Sequence, residues 1–331
     1  MQVKTDHDHH PFILGYSVAS DGTVQPLDWV ELRQKKISDA SERTWVHLNR
    51  LSSEARAWLD QDSDIDPLVT GALFQEDTRP RATRIGQGLL MNFRGANHNT
   101  GAEAEDLISI RVWMTDKIVI TTRAYSIRAV DDLKDKIDAG DPPETNGDLV
   151  CFLVERLTTR LEPVVASLEE KADELEAEWL DLSTPAPKLK LSDFRRTALS
   201  LRRYITPQRE AISSLIREGN DLFSDGAKIK FREIQDVTIR LSEDLDLARE
   251  RAVVIQEQIV EQRGEAMNQR LFVLAIVSAV FLPLGFLTGL FGINIGGMPG
   301  VDNAYAFSIF LVFLIAVTAG LFGLFKWLKW M

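Results

Sequence analysis

Two runs near the carboxyl end dominate the hydrophobic pattern. Leu271 to Phe291 is 21 residues without a charge, and Ala304 to Phe325 is 22. At about 1.5 Å of rise per helical residue, each is long enough to cross the roughly 30 Å hydrocarbon layer of a bilayer. The pattern predicts two transmembrane helices, 271–292 and 304–325, joined by an outer loop over 293–303. Arg263 and Arg270 precede the first, Lys326 and Lys329 follow the second, and the loop carries no Lys or Arg. The positive-inside rule then places both termini in the cytosol.

Upstream of the membrane the period stays helical. Ile234, Val237, Leu241, Leu245, Ala248, Ala252, Ile255 and Ile259 recur every three or four residues, with no turn cluster between 227 and 291. One helix of about 100 Å would result, a length suited to a packed stalk. The same spacing predicts a helix over 150–182 and another over 191–217, bent at Pro207. Nearer the amino end the period shortens to two. FILGYSV (12–18), TWVHLN (44–49), GLLMNFRG (88–95), LISIRVWM (107–114) and KIVITTR (117–123) read as strands, the last two forming a hairpin at Thr115-Asp116. Helices are expected over 52–60 and 67–77, and the turn-rich DPPETNGD (141–148) closes this part. The expected architecture is an α+β/α membrane protein. A mixed α/β cytosolic domain (1–148) leads into a helical stalk or funnel (149–270), the two membrane helices and a basic cytosolic tail (326–331).

Charge and composition narrow the function. The chain has 49 Asp and Glu against 38 Lys and Arg, a net charge of −11, which opposes nucleic-acid binding and suits cationic partners. The single cysteine, Cys151, excludes an internal disulfide. The amino-terminal segment has no apolar core of the kind a secretory signal needs. No GxxxxGK[ST], HExxH, GxSxG or CxxC is present, so neither an enzyme nor an ATP-driven pump is expected, and no bound cofactor. His7, His9 and His10 with Asp6 and Asp8 offer metal-binding groups on a tail without fixed geometry. His47 falls inside a strand and His98 in a polar turn.

The first membrane helix holds the candidate chemistry. Asn268, Leu271, Ala275, Ser278, Leu282, Gly285 and Gly289 share one face at spacings of three and four. Such a face either packs closely on another helix or lines a path for water and ions. Two helices enclose no lumen, so a path requires several copies around an axis. Past it, Gly292-Ile293-Asn294 and Gly296-Gly297-Met298-Pro299-Gly300 form an uncharged loop. Its backbone carbonyls and the Asn294 amide could hold a cation's water shell, or it could be an ordinary glycine-rich turn with an Asn cap. The acids of EEKADELEAEWLD (169–181) and those along 236–265 read as a solvated face, or as cation-focusing groups if they border a funnel. Lys326 and Lys329 read as interfacial anchors beside Trp327 and Trp330.

FLTGLFGINIGGMPG (286–300), ending the first of two carboxyl-terminal membrane helices after a long stalk, resembles the GxN signature of the CorA-type cation transporter superfamily. WVHLN (45–49), TRPR (78–81), RRYITPQRE (202–210) and GINIGG followed by MPG are similar to its ZntB-like zinc transporter branch. The resemblance implies a homopentameric funnel with Gly292, Ile293 and Asn294 at the outer pore mouth. The small-residue face would line the pore, and Lys326 and Lys329 would form an inner basic collar. Phe291 and Ile293 depart from the Tyr-Gly-Met-Asn of the magnesium channels, and Gly300-Val301 follows Met298-Pro299 where their acidic loop has Glu-Leu, which favours the zinc branch. The expected function is Zn²⁺ transport across a bacterial inner membrane, coupled to the proton gradient. The expected partners are further copies of the chain, membrane lipids and divalent cations. A passive Mg²⁺, Co²⁺ or Ni²⁺ channel and a membrane-anchored scaffold or sensor are the alternatives.

Overall fold

A computed structural model describes residues 10–34, 42–61, 63, 65–180, 188–293, 300 and 303–328. Its contacts divide the chain into two compact units, Met1–Ile255 and Gln256–Met331. In chain order the elements are β1 (Phe12–Val18), β2 (Val24–Pro26), α1 (Trp29–Gln34), β3 (Arg43–Asn49), α2 (Ser53–Gln61), α3 (Pro67–Phe74), β4 (Arg81–Ile85), β5 (Gly88–Gly95), β6 (Ile108–Met114), β7 (Ile118–Arg123), α4 (Arg128–Asp138), α5 (Asn146–Thr159), α6 (Glu162–Leu180), α7 (Lys188–Glu218), α8 (Asp225–Gly292) and α9 (Ala306–Trp327).

The strands form one seven-stranded sheet in the order β2-β1-β3-β7-β6-β5-β4. Only β3 and β7 run parallel among its pairings. Both faces are covered, which is why the central strands read as near-continuous apolar runs. On one face Trp45, Met91, Phe93, Ile110 and Val119 meet α4, α5, the end of α7 and the start of α8. On the other, Val46, Leu48, Leu90 and Ile120 meet α1, α2 and α3. The expected β6–β7 hairpin is present and is closed by Thr115 N donating to Ile118 O at 2.9 Å.

Three expectations are corrected. The single helix over 150–182 is two, α5 and α6, because Pro163 has no N–H to continue the ladder and its ring excludes the preceding turn. Helix α5 also begins earlier, inside the stretch expected to be turn, since Thr145 and Asp148 form a reciprocal capping box around its first turn. The helix expected over 67–77 stops at Phe74, where the carbonyls of Gln75 and Glu76 turn to accept from buried Arg111 at 2.8 and 3.0 Å. Burial, with Arg50 and Arg94 nearby, pushes the Arg111 guanidinium down to about 10.

The turn between α7 and α8 is locked to the sheet domain by two glycines. A Cβ on Gly147 would sit 2.6 Å from Leu222 O, and one on Gly219 would sit 2.3 Å from the Phe223 ring. Phe223 in turn packs on Phe231, their ring centres 4.8 Å apart, so the first turns of α8 belong to the main core. Edge strand β4 is held by Arg84, whose backbone N–H donates to Glu218 at 2.6 Å and whose guanidinium binds Asp221 at 2.7 Å.

His47 is fully buried on β3, its Nδ1 2.7 Å from Thr121 Oγ1 and its Nε2 without a hydrogen-bond partner among the described residues. Burial first, and the charge of Arg123 second, hold its imidazole well below the ordinary value. The unfolded imidazole takes a proton near pH 6.5, while the folded one stays neutral. The unfolded state therefore binds more protons below that pH. Stability falls as pH drops through about 6.5 towards the depressed folded value, by up to about 1.4 kcal/mol per pH unit. Urea unfolding at about pH 7.5 and about pH 5.5 should show a smaller loss in His47→Gln than in the parent; equal losses would refute it.

Candidate ion pathway

The second unit contains the last part of α8 and all of α9, both long and apolar enough to cross a membrane and almost unburied within the chain. Phe281 and Leu282 are 68% and 72% exposed. Surface of that kind calls for hydrocarbon or for other protein.

The exposed surface of α8 is not uniform. Its less exposed positions, among them Ile276, Val280, Pro283 and Leu287, follow a three and four spacing. So do Ala306, Phe310, Leu314, Val317, Leu321 and Phe325 on α9. Phe291, one turn beyond Leu287, packs on Phe310 with ring centres 4.9 Å apart. These sets form the seam of the hairpin. All seven stripe positions, Asn268, Leu271, Ala275, Ser278, Leu282, Gly285 and Gly289, are exposed. At about 100° per residue the stripe lies roughly opposite the seam.

That placement decides one question about the glycines. A Cβ on Gly285, Gly289 or Gly292 would meet nothing within 4 Å, so packing inside one chain does not require them to be small. Ser278 donates its hydroxyl to Leu274 O at 2.8 Å, which leaves its oxygen lone pairs facing outward. Thr288, beside the stripe, makes the same back-bond to Leu284 O at 2.9 Å. The face can offer oxygen acceptors but no ionisable group.

At the far end α8 stops at Gly292, and Ile293 is exposed. Asn294 lies outside the described residues, as do the loop glycines 296 and 297, Lys329, and the tail groups Asp6, His7, Asp8 and His9. Lys326 is exposed in the last turn of α9 beside Trp327. The structure therefore brings the seven stripe residues onto one face and places Gly292 and Ile293 at its end.

Several of the acids read as a solvated or focusing face are exposed or half-exposed and also form ion pairs. Arg251 on α8 binds Asp173 at 2.5 Å and Glu176 at 2.8 Å on α6, and hydrogen bonds to these carboxylates push its guanidinium up. Arg202 on α7 lies 2.6 Å from Asp246 on α8. These arginines tie neighbouring helices together. No local periodicity announces them, because each pair joins residues far apart in sequence.

Comparison with known proteins identifies the family. Residues 41–327 match the family described as CorA-like Mg²⁺ transporter protein. The zinc transport protein ZntB of Pectobacterium atrosepticum is 33% identical over 302 residues, which is 91% of this chain and 90% of that protein. The divalent cation transporter CmaX of Pseudomonas aeruginosa is 34% identical over 310 residues, 93% of each chain. The solved structure of full-length CmaX aligns with a TM-score of 0.82 at 32% identity, covering 98% of this chain and 100% of that one. The chain belongs to the CorA superfamily of divalent cation transporters and is ZntB-like within it.

Proposed function

We propose that the chain carries divalent metal cations, Zn²⁺ first among them, across a bacterial inner membrane as a homopentamer with both termini in the cytosol. The observation that carries this reading is the stripe on α8, exposed and turned away from the seam with α9. Copies arranged around an axis would bring five such faces together, with α9 behind each, against lipid. Residues 149–270 would serve as the stalk that sets the copies around the axis. Gly292, Ile293 and Asn294 would ring the outer mouth. Lys326 and Lys329 would ring the inner one, where their charge opposes a waiting cation until the collar moves.

Neutral oxygens on this path would hold a cation through its water shell rather than bind it directly. Direct zinc binding would need sets of His, Cys or carboxylate ligands, and among the described residues no three such groups come together. The zinc reading draws support from the names of the ZntB relatives and from the departures at Phe291, Ile293 and Gly300. A second reading is a gradient-indifferent Mg²⁺, Co²⁺ or Ni²⁺ channel. It is favoured by the stripe itself, which has no side chain able to carry a proton.

Purified protein in liposomes loaded with a metal-sensitive dye separates the two. Zinc influx that rises with an imposed proton gradient is the expected result. Magnesium flux indifferent to the gradient would establish the second reading, and no flux of any cation would overturn both.

A further inference from the structure

The parallel pairing in the sheet marks a place where ligands collect. Strands β3 and β7 lie side by side and point the same way. The chain leaving β3 enters α2 on one face of the sheet, and the chain leaving β7 enters α4 on the other. Where two connections part in this manner, a crevice opens at the carboxyl ends of the strands, the usual location of small-molecule sites in α/β sheets. This sheet has a cleft there of about 730 Å³, within the size range of small-molecule sites. Ile13 comes from β1, Asn49 from the end of β3, Arg123 from the end of β7, Tyr125 from the following loop, and Asp131 and Lys134 from α4.

The chemistry of the lining is specific. The lining carries two permanent cations, Arg123 and Lys134, and one carboxylate, Asp131, while Asp138 beside the lining also pairs with Lys134. Arg123 also donates to Ser126 Oγ at 3.2 Å, which fixes its guanidinium at the cleft. Lys134 pairs with Asp138 at 2.6 Å, but both side chains are nearly half exposed. An exposed i,i+4 pair is weak enough for a doubly charged anion to displace. Asp131 repels such an anion, so the anion sits at the Arg123 and Lys134 side and the carboxylate is left to accept from hydroxyl groups. The Tyr125 ring, 53% exposed, offers a flat apolar face at the rim.

We propose that this cleft binds a nucleoside phosphate, its phosphate on Arg123 and Lys134, its sugar hydroxyls on Asp131 and its base against Tyr125. All of these residues lie in the first unit, so the proposal does not depend on the path taken by the metal. The test is titration calorimetry on the full chain in detergent and metal-free buffer, with AMP, adenosine and inorganic phosphate as separate probes. AMP should bind more tightly than either fragment. Arg123→Gln and Lys134→Gln should each weaken AMP by about tenfold, the loss expected for one charge-assisted contact. Lys134 is exposed, so its variant tests the site even if Arg123→Gln fails to fold. No AMP binding, or AMP affinity unchanged in Lys134→Gln, would overturn the proposal. Phosphate binding as tightly as AMP would overturn the assignment to a nucleoside.

Discussion

Asn294→Ala should reduce divalent-cation flux into liposomes by at least about tenfold while leaving the size of the purified oligomer unchanged. The expectation rests on where α8 ends and on the residues that come next in the chain. Gly292 is the last helical residue, and a Cβ there would meet no neighbour. The helix therefore ends at the end of the stripe with no side chain crowding Gly292. An Asn two residues on adds one amide oxygen per copy, and five copies would make a ring of neutral acceptors. Alanine keeps the backbone and removes the ring. Flux equal to the parent would take Asn294 out of the mechanism and leave backbone carbonyls as the only oxygens at that mouth.

The second large effect concerns stability. Phe231→Ala should lower the stability of the first unit by about 3–5 kcal/mol, the range for emptying a buried aromatic site. Phe231 is wholly buried, packs on Phe223 and sits in the core shared by the sheet, α5 and α7. For a unit of this size the loss corresponds to a fall in melting temperature on the order of 10 °C. Ile229 lies two residues earlier on the same helix and is largely exposed. Ile229→Ala should change stability by no more than about 0.5 kcal/mol. Similar shifts in the two variants, read from thermal unfolding of the full chain, would show that the start of α8 is not anchored through Phe231.

How far the sequence discloses this molecule depends on whether the signal is local. Strands 12–18 and 88–95 are legible to the residue, because sheet burial on both faces writes apolar runs between turn residues. Strand β4 is not, since RATRI lies at the sheet edge and alternates charge with apolar character. Residues 124–140 carry no expected element, yet α4 keeps Ala129, Val130, Leu133 and Ile137 on one face. Its acidic outer face hides that spacing. The break between α5 and α6 is signalled by Pro163, and helical periodicity on both sides obscures it.

The candidate pathway shows the same division. The small-residue stripe is legible because it obeys the helical period. Its position opposite the seam is not, because that requires knowing which face of α8 meets α9. Nor does any pattern assign Arg251 to Asp173 and Glu176, or Arg202 to Asp246, among so many acids. The cleft at the ends of β3 and β7 is equally hidden, since it exists only once two strands 74 residues apart lie parallel, with His47 beside Thr121.

The opposition of stripe and seam on α8 also divides the work between two solvents. If five stripes face one another, the ion meets α8 alone, and lipid tails meet chiefly α9. Changes in bilayer thickness or acyl composition then act on α9 and reach the ion only through the packed seam at Phe291 and Phe310. Residues such as Phe307 and Val312, exposed on α9, are free to follow the membrane in which the protein resides. In that arrangement the stripe would be bound instead by the needs of hydrated metal.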